Sequence, residues 1–318
     1  GFWASLVFYN SYLPEIAFPE QQDKISAKGY AMGYFGSVIL LLVNLIMINF
    51  PDLFGITDSN GVVAEIMAMK ISFVMVGFWW FLFSQYTFYY LPGKKYYNQI
   101  KSQSGSEIKS RNVIFSGFIE LKSVWDELKT NYTLKVFLLS FFIYSIALQT
   151  VILVATYFGE AEIQWGEGEK TFGLILSILL IQLVAMAGAL ISAIISDKLG
   201  NFKTLIGLNF IWALICLFGY YVETSLEFYF AAGLVGLVMG GIQALSRSTF
   251  SKLIPKTNNN TSYFSFYDVS QKLSIVIGMT LFATIDQITG SMRNSILLFV
   301  IFFIIGAVIL IKLDKKTV

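Results

Sequence analysis

Long apolar runs separated by short polar stretches set the pattern of this chain. About 20 consecutive apolar residues are needed for a helix to cross the hydrocarbon of a bilayer, and a spanning segment must satisfy its own backbone there. Eight runs meet that length, at roughly 30–50, 66–91, 133–158, 171–195, 203–222, 226–250, 263–287 and 292–312. Residues 2–13 form a shorter run and read as the end of a ninth span. The pattern therefore predicts an all-α integral membrane protein. The fifth and sixth of the eight runs are only a few residues apart, which predicts a tight helical hairpin.

The longest polar interruption is 92–132, with Lys94, Lys95, Lys101, Lys109, Arg111, Lys122 and Lys129. Within it Ile114, Phe118, Leu121, Trp125 and Leu128 recur at the spacing of one helical face, with Glu120, Lys122, Asp126, Glu127 and Lys129 on the others. An amphipathic helix on the membrane surface is expected, as a tether between two bundles or as a regulatory element.

Composition agrees with the spans. Hydrophobic residues make up 56% of the 318, and charged residues only 13%. A soluble domain carries about 25% charged residues, because its exterior needs polar cover. The net charge of +2 gives no basic field for nucleic acid. One cysteine, Cys216, and no histidine exclude a disulfide framework, a Cys/His zinc site and His-activated nucleophiles. No enzyme activity, metal or cofactor is expected.

Lysine and arginine favour the cytoplasmic side of a membrane. With the 92–132 loop, the C-terminus and alternate loops on one side, that side holds 19 of the 22 basic residues and 10 acidic ones. The opposite side holds Lys70, Lys170 and Arg293 against 10 acids. The C-terminus, with Lys312, Lys315 and Lys316, is expected in the cytoplasm, and the chain in the plasma (inner) membrane. Six spans after a basic cytoplasmic loop look like the second half of a 6+6 transporter. The domains are then 1–91, the remainder of an N-terminal bundle (end of helix 4, helices 5 and 6); 92–132, a cytoplasmic linker; and 133–318, a C-terminal six-helix bundle (helices 7–12). Helices 1–3 would precede Gly1 in a longer chain.

A loop motif sharpens this. Ser196-Asp197-Lys198-Leu199-Gly200-Asn201-Phe202-Lys203, between the fourth and fifth full spans, resembles the Asp-Arg/Lys-x-Gly-x-x-Lys loop of the major facilitator superfamily. Gly200 allows the positive φ of a tight helix connection. Asp197 can accept hydrogen bonds from a basic residue or a helix N-terminus. Arg247, near the end of the sixth span, must be paired or wetted, and is the expected partner of Asp197 in a clamp with the chain near Ser26. Asp197, Lys198, Gly200, Lys203, Arg247, Asp268 and Lys272 form the candidate gating set.

Four stretches together resemble one family. They are Phe8-Tyr9-Asn10-Ser11-Tyr12-Leu13-Pro14-Glu15, Ser26-Ala27-Lys28-Gly29-Tyr30-Ala31-Met32-Gly33-Tyr34, Gly240-Gly241-Ile242-Gln243-Ala244-Leu245-Ser246-Arg247-Ser248 and Phe264-Ser265-Phe266-Tyr267-Asp268-Val269. They look like the bacterial unknown-major-facilitator family, relatives of the autophagy-linked vacuolar amino-acid effluxers of fungi. The resemblance implies a 12-helix secondary transporter of a small solute, amino acids or related metabolites, working by alternating access. It departs from the family at Ser145-Ile146-Ala147, where many members carry Asp-Gly.

Carriers of this architecture bind solute near the midplane, between the bundles. The candidate substrate residues are the polar groups inside apolar spans: Asn44, Tyr144, Gln149, Gln182 and Gln243. Gly29-x-x-x-Gly33 and Gly236-x-x-x-Gly240 are candidates for close helix packing. The expected partners are a small-molecule solute, the lipid bilayer and a coupling ion, proton or sodium; no nucleic acid is expected. No Asp or Glu lies near the middle of a span, so coupling would use residues outside this chain or no proton at all. The alternative function is a membrane scaffold or assembly protein that keeps the fold; an apolar, closed seam between bundles would favour it.

Overall fold

The computed structural model describes residues 2–56, 61–91, 113–255 and 259–317. Among these the chain is helical throughout, with one isolated bridge, Gln164 to Thr224, outside the helices. The helices are α1 (Phe2–Ser11), α2 (Leu13–Ile16), α3 (Gln22–Asn49), α4 (Gly61–Tyr90), α5 (Val113–Thr130), α6 (Tyr132–Glu162), α7 (Lys170–Leu199), α8 (Asn201–Tyr221), α9 (Ser225–Leu253), α10 (Asn260–Thr289) and α11 (Met292–Thr317). A 3₁₀ turn, Pro51–Phe54, follows α3.

Eight of these helices are long and apolar enough to cross a membrane: α3, α4 and α6 to α11. They match the eight apolar runs. The main difference is at α3, which starts at Gln22 rather than near residue 30. Its polar first turns hide from an apolar-run criterion, yet they carry Asp23, Lys24 and Ser26.

Packing divides the chain into two compact units, Gly1–Phe35 with Gly117–Val318, and Gly36–Ser116. In the first, α6 to α11 form a six-helix bundle, and α1, α2 and the start of α3 pack on it. Trp212 of α8 stacks on Phe303 of α11, with centroids 5.4 Å apart. Phe141 of α6 stacks on Tyr267 of α10 at 4.1 Å. Helices α7 and α9 meet through glycines. A Cβ at Gly236 would lie 2.6 Å from the Ile181 carbonyl oxygen, and one at Gly240 would overlap that of Ala185. Only a hydrogen fits there, so backbone meets backbone.

Caps and turns fix the ends. Thr224 and Glu227 form a reciprocal capping box on α9. Asn131 caps α6 by accepting from the Leu134 N–H at 3.1 Å. Gly200 takes φ +87°, letting α8 begin directly after α7. At the acidic end, Arg293 donates to Glu162 Oε2 at 2.9 Å and to the carbonyls of Tyr220 and Glu162.

The amphipathic segment is helical, as α5. Val124 and Leu128 are buried against the bundle, but Phe118 and Trp125 are 71% and 52% exposed. The expected single stripe therefore divides: its C-terminal part docks on protein, and Phe118 with Ile119 faces outward. Glu120 accepts from Ser262 at 2.8 Å, Glu127 accepts from Tyr263, and Trp125 lies 6.0 Å from the Phe266 ring. A bond from Lys129 at 2.7 Å lowers the pKa of the Asp126 carboxyl. Lys94, Lys95, Lys101, Lys109 and Arg111 lie outside the described residues, and so does the side chain of Ile114.

The second unit contains the rest of α3, the 3₁₀ turn and α4. Gly55 makes its turn at φ +73°. Gly36 approaches Trp79, and Trp79 packs on Phe83 at 4.8 Å. Asn44 belongs here; its Oδ1 is buried without a hydrogen bond among the described residues.

Candidate functional site

A cluster of polar residues of the first unit gathers where α1, α2 and the start of α3 meet α7, α9 and α10. The seam has a small-residue floor: Ala27 of α3 packs with Ala189 and Ala193 of α7 and Ala244 of α9. Short side chains bring the backbones close, so polar groups on either side can bond directly.

The outer layer is built on Asp23, which is 2% exposed. Its Oδ2 accepts from Lys252 Nζ at 2.6 Å and from Ser196 Oγ at 3.1 Å, and its Oδ1 accepts from Asn201 Nδ2 at 2.8 Å. The Lys252 ammonium also donates to Asn201 Oδ1 at 3.0 Å, and Asn201 Nδ2 to Thr249 Oγ1 at 2.9 Å. A carboxylate removed from water needs both a counter-charge and donors for its lone pairs, and this cluster supplies both. Beside it Lys24 pairs with Asp197 at 2.8 Å. The loop motif thus grips the first turn of α3 twice, through its Asp197 and through its Ser196 and Asn201.

The inner layer centres on Arg247 of α9, 4% exposed. Its Nε donates to Ser26 Oγ at 3.0 Å, its Nη2 to the Ser26 carbonyl at 2.9 Å, and its Nη1 to Asn10 Oδ1 at 3.0 Å. Ser26 Oγ in turn donates to the Ala244 carbonyl at 2.7 Å. The guanidinium lies over the rings of Tyr30, 4.6 Å away, and Tyr9, 5.3 Å away. Gly29 makes room: a Cβ there would sit 2.6 Å from Tyr9 Oη and 3.1 Å from Arg247 Nη2.

The expected bond between Arg247 and Asp197 is not formed. Asp197 pairs with Lys24 at the surface, and Arg247 turns inward to neutral oxygens. None of the ion pairs among the described residues includes Arg247. The clamp on the chain near Ser26 is present, through a different partner set.

One turn further along α9, Tyr34 of α3 donates to Gln243 Oε1. Tyr144 of α6 shares a 2.6 Å hydrogen bond with Ser246 and is fully buried inside the bundle. Gln182 of α7 has a buried Oε1 with no hydrogen bond among the described residues. Gln149 of α6 is half-buried. Asp268 and Lys272 pair at 3.3 Å on α10, and Lys272 Nζ lies 3.5 Å above the Trp3 ring of α1. Lys198 and Lys203 are exposed. Of the two small-residue pairs, Gly236 and Gly240 sit at a backbone crossing and Gly29 under the guanidinium, whereas a Cβ at Gly33 would meet nothing within 4 Å.

The candidate substrate residues therefore fall apart in space. Gln243 lies in the seam, Tyr144 inside the bundle, and Asn44 in the other unit. Sequence reasoning missed Asp23 and Lys252. An acid in the first turn of α3 was the available signal, concealed by placing the start of that span eight residues late.

Comparison with known proteins bears on the fold and lineage. Residues 1–317 match the family model described as "Vacuole effluxer Atg22 like". YxiO, an MFS-type transporter of Bacillus subtilis, is 30% identical over 100% of this chain and 69% of its own length. Autophagy-related protein 22-2 of Neosartorya fischeri is 27% identical over 93% of this chain and 49% of its own. The chain thus spans about half of that fungal relative. Among solved structures, a point variant of the Escherichia coli fucose:proton symporter FucP superposes with a TM-score of 0.62 at 13% identity, over 96% of this chain and 72% of that one. A bacterial homologue of the iron transporter ferroportin, in an outward-facing state, gives 0.52 at 13% identity, over 95% and 66%. At such identities the likeness is one of fold, the major facilitator fold.

Proposed function

Because the chain belongs to the family of Atg22-like vacuole effluxers, within the major facilitator superfamily, we propose that it forms the greater part of a secondary transporter of a small solute that works by alternating access. The observation that carries this reading is the seam of Gly1–Phe35 on α7, α9 and α10. It is closed by hydrogen bonds and ion pairs rather than by a continuous apolar core. Such a seam can open, because water and lipid headgroups can take over its polar partners. An apolar seam would have favoured a scaffold.

The three-part division at 91 and 132 belongs to the same reading, with the 1–91 segment moving against the 133–318 bundle. The basic end faces the cytoplasm, so the closed seam is a cytoplasmic gate and the state is closed to the cytoplasm. The family description, effluxer, suggests export across the plasma membrane, with amino acids as the first solutes to test. Gln182, Gln243 and Gln149 would contact solute from the bundle, and Tyr144 would set the position of Ser246. A coupling ion, proton or sodium, would act through residues outside this chain or through Asp23 or the Asp268–Lys272 pair, carboxylates toward the ends of spans rather than at their middle.

Transport by the full-length protein in proteoliposomes tests the reading. Flux of at least one amino acid or related metabolite, abolished by Asp23→Ala with Lys252→Ala, is expected. A broad solute panel with no flux, alongside a stable membrane partner in pull-downs, would replace transport with the scaffold reading.

A further inference from the structure

Arg247 poses a problem that its partners do not solve. It is 4% exposed within a membrane span, and the oxygens that accept from it are an amide, a hydroxyl and a carbonyl. These fill hydrogen-bond capacity without cancelling charge. An ionised side chain in a span pairs with an opposite charge or with backbone carbonyls, and Arg247 has only the second kind of partner. The protein has carboxylates on the same seam, yet Asp23 and Asp197 bind Lys252 and Lys24. Among the described residues the guanidinium has no counter-ion, although it is the side chain best shaped for planar two-oxygen anions.

The acceptors come from the segment across the seam, Asn10 from α1 and Ser26 from α3. Opening the seam takes them away, together with Tyr30 of the same α3, and bares at least three N–H donors one turn from Gln243 on α9. Resting on the transport reading above, we propose that Arg247 is a solute-anion subsite: the carboxylate of a solute takes the places that Asn10 and Ser26 hold in the closed seam. Lys272 on α10 is already matched, by Asp268 and by the Trp3 ring, although its buried ammonium makes no hydrogen bond among the described residues. Solute binding and closure then compete for one guanidinium, so a carboxylate entering from the basic side stabilises the open seam. The occupant is a soluble carboxylate; a lipid phosphate, which shares the chemistry, is separated from it below.

Paired probes test this on the purified full-length protein: leucine against leucinamide and succinate against succinamide, with ligand-induced thermal stabilisation as the readout. At least one acid should bind about tenfold or more tightly than its amide, since a charge-assisted pair is lost in the amide. Arg247→Gln should abolish the difference, and Arg247→Lys should retain part of it. Asn10→Asp places a carboxylate 3.0 Å from Nη1 with little change in volume and should weaken acid binding by self-occupation. Amides binding as well as acids, or Asn10→Asp and Arg247→Gln both leaving acid binding intact, would overturn the subsite. Stabilisation by anionic-lipid micelles, with neither acid binding, would assign Arg247 to a headgroup and equally overturn it. Flux of solutes without a carboxylate, unchanged in Arg247→Gln, would sink this inference and leave transport standing. Acid binding at Arg247 without any flux would do the reverse.

Discussion

Arg247 donates to both the hydroxyl and the carbonyl of Ser26, at 3.0 and 2.9 Å, so a single side chain of α9 holds the start of α3 from two directions. Asp23, three residues earlier, is held by Lys252, five residues after Arg247. Two inverted attachments, acid to base and base to neutral oxygen, thus fasten the same pair of helices one turn apart.

The Asp23–Lys252 pair should be strongly coupled. Removing one partner of a buried pair leaves a charge without compensation and costs about 3–5 kcal/mol, while removing both with apolar groups costs much less. Asp23→Leu and Lys252→Met alone should each lower thermal stability or open the seam, and the double variant should recover most of the loss. Additive effects in the cycle would contradict the pairing.

Glycine positions on α9 should separate sharply. Gly240→Ala forces a Cβ into the Ala185 carbonyl and should destabilise the bundle by about 1–3 kcal/mol. Gly233→Ala, on the same helix with nothing within 4 Å, should be neutral or slightly stabilising through helix propensity. Chemical denaturation of the two variants in one detergent decides this.

Gly29→Leu should act on the seam alone. Its side chain would displace Tyr9 Oη and Arg247 Nη2, the groups that a Cβ at position 29 meets. A cysteine placed at position 26 should become reactive toward a soluble maleimide in this variant and stay protected in the parent. Cys216 is buried, so it contributes little background.

The linker helix is held through Glu127–Tyr263 and Glu120–Ser262. Tyr263→Phe combined with Ser262→Ala should speed hydrogen exchange across residues 117–130 and leave α6 to α9 protected. Unchanged exchange in α5 would show that burial of Val124 and Leu128 alone holds it.

Sequence carried the fold because the period and length of apolar runs are set directly by bilayer thickness, and the eight spans follow. The loop motif was also legible, since Gly200 and Asp197 are chemically distinctive. Partner choice was not. Asp197 and Arg247 are opposite in charge, but pairing depends on the side-chain direction and helix rotation at α3, and Lys24 lies nearer the loop. Asp23 escaped because an apolar run cannot mark a helix whose first turns are polar and face protein. The amphipathic stripe of α5 was visible as a stripe, yet which part docks depends on the neighbouring Phe266 and Tyr263.

Alternating access is tested most directly by pulsed electron–electron distance measurements between spin labels at residues 20 and 198 in the full-length, Cys216→Ala protein. Both positions are exposed and flank the seam from opposite sides. The account predicts a short distance matching the closed seam and a second, longer population that grows with a transported solute or with Asp23→Asn. One short distance under every solute, unchanged by Asp23→Asn, would mean that the seam is permanently shut and that the protein does not transport by opening it.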